Sequence, residues 1–394
     1  MKAWRYALLS LLGALALALA TPAAAAEEGG QGVAQAAAGY PAVVPGRALA
    51  FPRDHGAHPD YRTEWWYITG WATDDAGVER GFQLTFFRVR TQVGETSASR
   101  FAPTQLLLAH AAIADRAEGR LLHAERAERR LEPLVGYGEA HTDVRVRDWS
   151  LHWHDDRYRA HIDAGDFALA LDFVPAGPPL ANGRDGYSQK APDPLNASYY
   201  YSRPQLAVSG TLAVRGIKVA VRGRAWLDHE WSSEILPEGA RGWDWIGINL
   251  ADGGSLMAFR LRDGAEGALW GAATWRDADG RTRLLGPDEV RFEPLRRWRS
   301  PRTGARYPVE WRVVLGRGDA VRRLRLRPLM DDQELDSRAS TGAVYWEGAV
   351  RVEEEGGGAS AEEADASAGN REAVSREIGR GYLEMTGYAD RLRM

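Results

Sequence analysis

The run Gly223-Arg224-Ala225-Trp226-Leu227-Asp228-His229-Glu230-Trp231-Ser232 decides how the rest of the chain is read. It follows an alternating stretch that begins at Ile217, so it continues a β-strand. Successive side chains of a strand point to opposite faces. Trp226, Asp228 and Glu230 therefore share one face, and His229 and Trp231 take the other. Unless a bulge re-aims one of them, Asp228 and His229 cannot serve the same cavity. Acids and an imidazole set among large aromatics suit a dry pocket with a few polar groups at its base.

Working outward, the same grouping recurs. Glu64-Trp65-Trp66-Tyr67 lies far upstream, Ser198-Tyr199-Tyr200-Tyr201-Ser202 shortly before, and Gly242-Trp243-Asp244-Trp245 shortly after. An acid buried beside Trp has a raised pKa and can donate a proton. An inward His can do likewise if a carboxylate such as Glu64 or Asp244 orients it. Asp228, His229 and Glu64 are the candidate acid–base groups. Two acids in matching surroundings suggest that Glu64 and Asp228 meet in space. Trp65, Trp66, Tyr67, Tyr199, Tyr200, Tyr201, Trp226, Glu230, Trp231, Trp243, Asp244 and Trp245 are the candidate lining. The bland alternative is a buried ion-pair network that plugs a barrel floor.

Period-two alternation spreads well beyond this strand. Trp149, Leu151 and Trp153 alternate with polar residues, as do Tyr158, Ala160 and Ile162, and then Phe167, Leu169, Leu171 and Phe173. Trp65–Trp71, Phe82–Val89 and Leu106–Ile113 are further apolar runs. Arg215-Gly216, Asp252-Gly253, Asp263-Gly264 and Asp279-Gly280 mark hairpin turns. Pro175–Pro194, rich in Pro and Gly, reads as a long loop. Glu289–Arg299 has the composition of a short helix, but Pro294 opposes it. The prediction is an all-β chain built as an up-and-down barrel or sandwich.

With 394 residues the chain exceeds the usual single core, so two domains are expected. A net charge of -4 gives no sign of a nucleic-acid partner. Fifteen Trp suit ligand cavities as well as cores. Lys2 and Arg5, then the apolar run Ala7–Ala20 and the small residues Ala23–Ala26, form the pattern of a Sec signal peptide over 1–26. A periplasmic or secreted protein follows, with a flexible leader over 27–45. The chain has no Cys, hence no disulfide and no lipoprotein anchor. No later segment is long and apolar enough to be a membrane span. The Glu-, Gly-, Ala- and Ser-rich run 353–377 reads as a disordered acidic loop inside the chain.

Several chemistries drop out on motif grounds. There is no G-x-S-x-G elbow, no P-loop, no G-x-G-x-x-G after a strand and no H-E-x-x-H. His152-x-His154 puts two imidazoles on one strand face, with Asp155 and Asp156 following in a turn, but the pattern reads better as a solvent-facing strand with Leu151 and Trp153 on its other face, so neither metal nor cofactor is expected. The expected partner is an apolar small molecule or lipid.

Taken together, Arg62–Gly70, Ser198–Ser202, Ala225–Ser232, Gly242–Trp245, Tyr345-Trp346-Glu347-Gly348-Ala349-Val350 and Gly381-Tyr382-Leu383-Glu384-Met385-Thr386-Gly387-Tyr388 resemble the AttH-like, carotenoid 1,2-hydratase-related lipocalin-like family. The resemblance covers about residue 50 to 390. It implies two tandem lipocalin-like antiparallel β-barrels, over 46–232 and 233–394. It implies either a hydratase- or hydrolase-type enzyme for an isoprenoid or acyl substrate, or a non-catalytic lipid carrier. In the hydratases of the family the site joins a His-x-Trp, matched by His229 and Trp231, to a Tyr-x-Asp on a following strand. Here that strand reads Leu256-Met257-Ala258-Phe259-Arg260-Leu261, with Phe259 where the Tyr is sought. The acid then falls to Asp228, Glu64 or Asp244.

Overall fold

The computed structural model describes residues 39–234, 236–264, 267–355 and 376–391. The signal-peptide reading of 1–26, residues 27–38 of the leader and most of the acidic run 353–377 lie outside the described residues. Two antiparallel sheets and four single-turn 3-10 segments make up the rest. No described helix is long and apolar enough to cross a membrane.

Strands of the first sheet all fall between residues 63 and 234. They are β1 (Thr63–Asp74), β2 (Glu79–Arg90), β3 (Gln105–Asp115), β4 (Leu121–Arg129), β5 (Val135–Tyr137), β6 (Asp143–Val146), β7 (Trp149–His154), β8 (Arg157–Asp163), β9 (Phe167–Val174), β10 (Leu180–Ala181), β11 (Tyr187–Gln189), β12 (Ala197–Val214) and β13 (Ile217–Glu234). The spatial order is β4-β3-β2-β1-β13-β12-β9-β8-β7-β6-β5, so the first strand pairs with the last. The sheet curls until β4 approaches β6, where the Arg126 guanidinium donates to the Val146 carbonyl and grips Asp148. It is nearly closed as a barrel.

The second sheet uses β14 (Gly242–Leu250), β15 (Ser255–Arg262), β16 (Ala268–Arg276), β17 (Thr282–Leu285), β18 (Val290–Arg299), β19 (Arg306–Leu315), β20 (Arg322–Pro328), β21 (Glu334–Ser337), β22 (Ala343–Glu354) and β23 (Arg376–Thr386). Its order is β17-β16-β15-β14-β23-β22-β20-β19-β18, again with first strand against last. Unlike its partner it does not close, and β17 and β18 remain as edges.

Local reasons for these elements are direct. Arg215 and Gly216 both take positive φ, 50° and 81°, the two-residue turn that suits a twisted hairpin between β12 and β13. The expected loop over 175–194 is broken by β10 and β11, which lie on the edge of the long β12. The segment with helical composition, 289–299, is β18 apart from Glu289, which ends a 3-10 turn. Pro294 and Leu295 sit there at a shift of register, where a strand tolerates a missing N–H.

Burial separates two kinds of strand. β8 and β9 alternate buried and open, with one face to the barrel core and one to water. The middles of β1, β2, β3 and β13 are buried on both faces. Their inner faces build one apolar cluster, including Ile68, Phe86 and Leu227. Their outer faces meet β14, β15, β22 and β23 in a separate cluster that includes Tyr67, Trp226, Trp245 and Tyr382. The two backbones come close there: a Cβ on Gly81 would stand 2.6 Å from the Ala349 Cβ and 2.9 Å from the Tyr382 hydroxyl.

Candidate active site

The alternation read from Gly223–Ser232 places the candidate residues in separate compartments. In β13 the side chains of Asp228 and Glu230 face the seam between the sheets, and those of His229 and Trp231 face the barrel interior. Glu64 and Asp228 do not meet. Strand β13 lies between them, because Glu64 points inward with His229.

The inner compartment is a hydrogen-bond network centred on Glu64. One Glu64 oxygen accepts from His229 Nε2 at 2.8 Å and lies 2.8 Å from His58 Nδ1; the other accepts from Arg88 Nε at 2.9 Å. Burial alone would raise the Glu64 pKa. The charge of Arg88 and the hydrogen bonds from His229 and His58 outweigh it and hold the carboxylate well below its usual range. Glu64 can orient, but it is a poor proton donor. Arg203 donates to His55 Nε2, which leaves His55 Nδ1–H to donate to the Tyr201 hydroxyl at 2.8 Å. Tyr201 then donates to His229 Nδ1 at 3.1 Å, and His229 Nε2–H completes the run at Glu64. Burial lowers the His229 pKa, against the pull of Glu64, and keeps the ring neutral. Trp231 stacks on His58 at 3.6 Å and Trp66 on His229 at 4.8 Å. Tyr199 fixes the N-terminal segment by donating to the Val44 carbonyl. These groups knit residues 44–62 across the barrel end.

His58, Glu64 and His229 are the one trio among the described residues whose ligand atoms converge closely enough for a cation. Arg88 already supplies the positive charge that Glu64 needs, at 2.9 Å and fully buried. Added cationic charge there would meet the guanidinium, so the donor set does not favour a metal. His152 is half-buried beside Asp143, and His154 is exposed beside Asp155.

The seam between the sheets is richer in carboxyls. Asp228 Oδ1 accepts from Trp226 Nε1 and from the Ser202 hydroxyl, each at 2.6 Å. Oδ2 accepts from the Tyr200 hydroxyl at 2.8 Å. Those donors are themselves committed, since Asn182 donates to Ser202 and Trp245 Nε1 donates to Tyr200. Oδ2 thus keeps one lone pair on which a proton can sit. Burial pushes the Asp228 pKa up to about 7 against these three hydrogen bonds.

Around it stand three more carboxyls. Glu230 accepts from Ser198 and pairs with Lys190 Nζ, whose ammonium also lies over the rings of Tyr200 and Phe259. Glu347 and Glu384 sit directly opposite each other on β22 and β23. Gln83 Nε2 donates to Glu347 at 2.6 Å and Trp243 Nε1 to Glu384 at 3.0 Å. Burial pushes Glu347 up to about 7; burial and then the Glu347 charge raise Glu384 well above its ordinary range. Two carboxyls so placed share a proton. The Tyr67 hydroxyl lies within the fields of Glu347, Glu384, Tyr382 and Asp228 and has no hydrogen-bond partner; the Tyr382 hydroxyl has none either.

Of the predicted residues, Asp228, Glu230, Trp65, Tyr67, Tyr200, Trp226, Trp243 and Trp245 belong to the seam. Glu64, His229, Trp66, Trp231, Tyr199 and Tyr201 belong to the barrel interior. Asp244 belongs to neither: it points into the second sheet, where Arg260, Arg262 and Tyr388 hold it, and it does not orient His229. Sequence reasoning missed Glu347 and Glu384, although each stands beside a large apolar residue much as Glu64 does. It also missed Lys190, Gln83, Tyr382, Arg88 and His58.

A family model described as AttH-like matches residues 42–388, and the chain belongs to that family. The crystal structure of a Nitrosomonas europaea protein assigned to AttH is 46% identical, covering 88% of this chain and 99% of that one, with a TM-score of 0.78. Kievitone hydratase from Nectria haematococca shares the fold at 14% identity, over 89% of this chain and 96% of that one, with a TM-score of 0.63. No curated protein matches the sequence.

Proposed function

We propose that the chain is an acid–base enzyme of the hydratase type, which adds water to an alkene of an apolar isoprenoid or acyl molecule, or removes it from the corresponding alcohol. The observation that carries this reading is Asp228. It is a carboxyl buried among aromatics, pushed up to about 7, with one oxygen fully hydrogen-bonded and the other keeping a free lone pair. The acids and phenols of the seam suit protonation of an alkene, and its paired carboxyls would also activate water for a hydrolase.

In the hydration direction Asp228 Oδ2 gives its proton to one alkene carbon, and the π electrons form the new C–H bond. The positive charge left on the other carbon faces the rings of Tyr67, Tyr200 and Trp245, which stabilise a cation through their π faces. Water bonds to that carbon, and its surplus proton passes to the Glu347–Glu384 pair. Return of that proton to Asp228 closes the cycle. The phenol that the family places on β15 is supplied here by Tyr67 and Tyr382, with Phe259 as plain wall. Glu64 and His229 act behind β13, positioning the strand rather than touching substrate.

Phe259 favours a second reading, a lipid carrier without chemistry, because an apolar ring occupies the position of the family's tyrosine. Incubation with acyclic isoprenoid and unsaturated acyl substrates in ¹⁸O-labelled water decides between them. Label entering the product with the parent and not with Asp228→Asn supports the enzyme. Bound lipid recovered unlabelled from both supports the carrier. Export is part of the proposal, and N-terminal sequencing of the secreted or periplasmic protein, expected to start just after Ala26, tests it.

A further inference from the structure

The face of β13 that carries Asp228 continues outward through Trp226 to Arg224 and Arg222. Exposure rises along it, from the buried Asp228 and Trp226 to the open arginines. Trp226, Arg224 and Arg222 line a cavity of about 470 Å³ at the junction of β1, β13 and β23. Among its lining residues is the buried Trp226, whose Nε1 donates to Asp228. The cavity therefore ends one side chain short of the acid.

Charge on the rim is unbalanced. Arg380 is held by Glu79 and Glu377, and Glu377 is also engaged by Arg351. Arg222 and Arg224 have no hydrogen-bond or ion-pair partner among the described residues. Two open guanidiniums on a cavity that Trp226 helps to line are a receptor for a planar or tetrahedral oxyanion carried on an apolar chain.

We propose that this groove seats the anionic head of an amphiphilic substrate, a carboxylate or a phosphate ester, and directs its apolar chain along β13 toward Asp228. The inference rests on Asp228 as the reacting group. Strand rise sets the length: four to six residues separate the arginines from Asp228, so head and alkene stand ~13 to ~20 Å apart, the span of a chain on the order of ten carbons or more. Trp226 is then the side chain that the substrate must pass.

The test uses the full chain and its tryptophan fluorescence, titrated with dodecanoate, dodecyl phosphate, dodecanol and dodecylammonium below their micelle concentrations. Both anions are expected to bind at least about tenfold more tightly than the alcohol, and the tighter of the two names the head group. Arg222→Gln/Arg224→Gln should erase that preference and leave dodecanol binding unchanged, with circular dichroism confirming the fold. In the unaltered protein the preference should shrink as salt rises from about 50 to about 500 mM. Equal binding of alcohol and anions, a preference that survives the double substitution, or tightest binding of the ammonium would overturn the proposal. Anion preference without water addition to any alkene sinks the reaction and leaves the groove. Water addition without anion preference sinks the groove and leaves the reaction.

Discussion

Asp228 is poised between three hydrogen bonds that favour its anion and a burial that favours its acid. As a proton donor it must be protonated, so activity should be full below about 7 and fall as pH rises through that value. A pH profile of kcat on a turned-over substrate checks this, and a profile that rises above 7 would remove Asp228 from the role. Asp228→Asn should lower kcat by about 10²- to 10⁴-fold with KM little changed. Its stability effect has the opposite sign. Unfolded, the acid ionises near ~3.9. Between about 7 and about 4 the folded state thus binds a proton that the unfolded state releases, and stability from this group grows as pH falls. Asp228→Asn should therefore melt above the parent at about pH 8 and lose that advantage by about pH 5.

At the scale of the element, β13 is a partition with a different chemistry on each side. Its barrel side ends in the Glu64–Arg88 pair, both fully buried. Removing one partner strands the other charge, so Arg88→Met should cost about 3–5 kcal/mol in a urea melt. A loss under about 1 kcal/mol would mean that water reaches the pair. This partition was legible in the residues, because strict alternation through 226–231 follows from a regular strand. The continuous apolar runs Trp65–Trp71 and Phe82–Val89 fall on strands buried on both faces, unlike the clean alternation of 167–173. What covered the second face was not legible. Glu347 and Glu384 become a pair only through the register of β22 on β23, and Glu347 meets Gln83 only across 264 residues of sequence. Glu64 and Asp228 looked alike in composition because spacing within each run says nothing of which face is turned to which compartment. Asp244 was drawn toward His229 by nearness in sequence, while the turn between β13 and β14 carries it into the other sheet.

Across the whole molecule, the two sheets are fastened by contacts that neither could satisfy alone. Trp71 Nε1 donates to the Gly381 carbonyl, Gln205 binds Asn249, Leu250 and Gly254, and His110 meets Ser340. Gly81→Ala should wedge this seam open, since the added methyl would lie 2.6 Å from Ala349 and 2.9 Å from Tyr382. A red shift of tryptophan emission and a lower melting temperature are the expected readouts. Acid should loosen the molecule as well. His55 and His110 are driven down to about 3, chiefly by burial, while unfolded histidine titrates near ~6.5. Below ~6.5 the unfolded state takes up protons that the folded state refuses, so stability from these two groups falls as pH drops toward about 3. His110→Phe should flatten the melting curve against pH over that window.

The pairing of first strand with last also governs the order of assembly. Glu64 and His229 are hydrogen-bonded across 165 residues of chain, and Trp71 and Gly381 across 310. During synthesis β1 must wait for β13 before its inward acid has its imidazole, and the seam must wait for β23, some 310 residues after β1. Closing such long loops precedes any reward from the contacts they make, which places the chain among slow folders with high contact order. In that interval β1 offers an unpaired edge and an uncovered aromatic face to any neighbouring chain. Refolding yield should fall steeply with protein concentration for that reason.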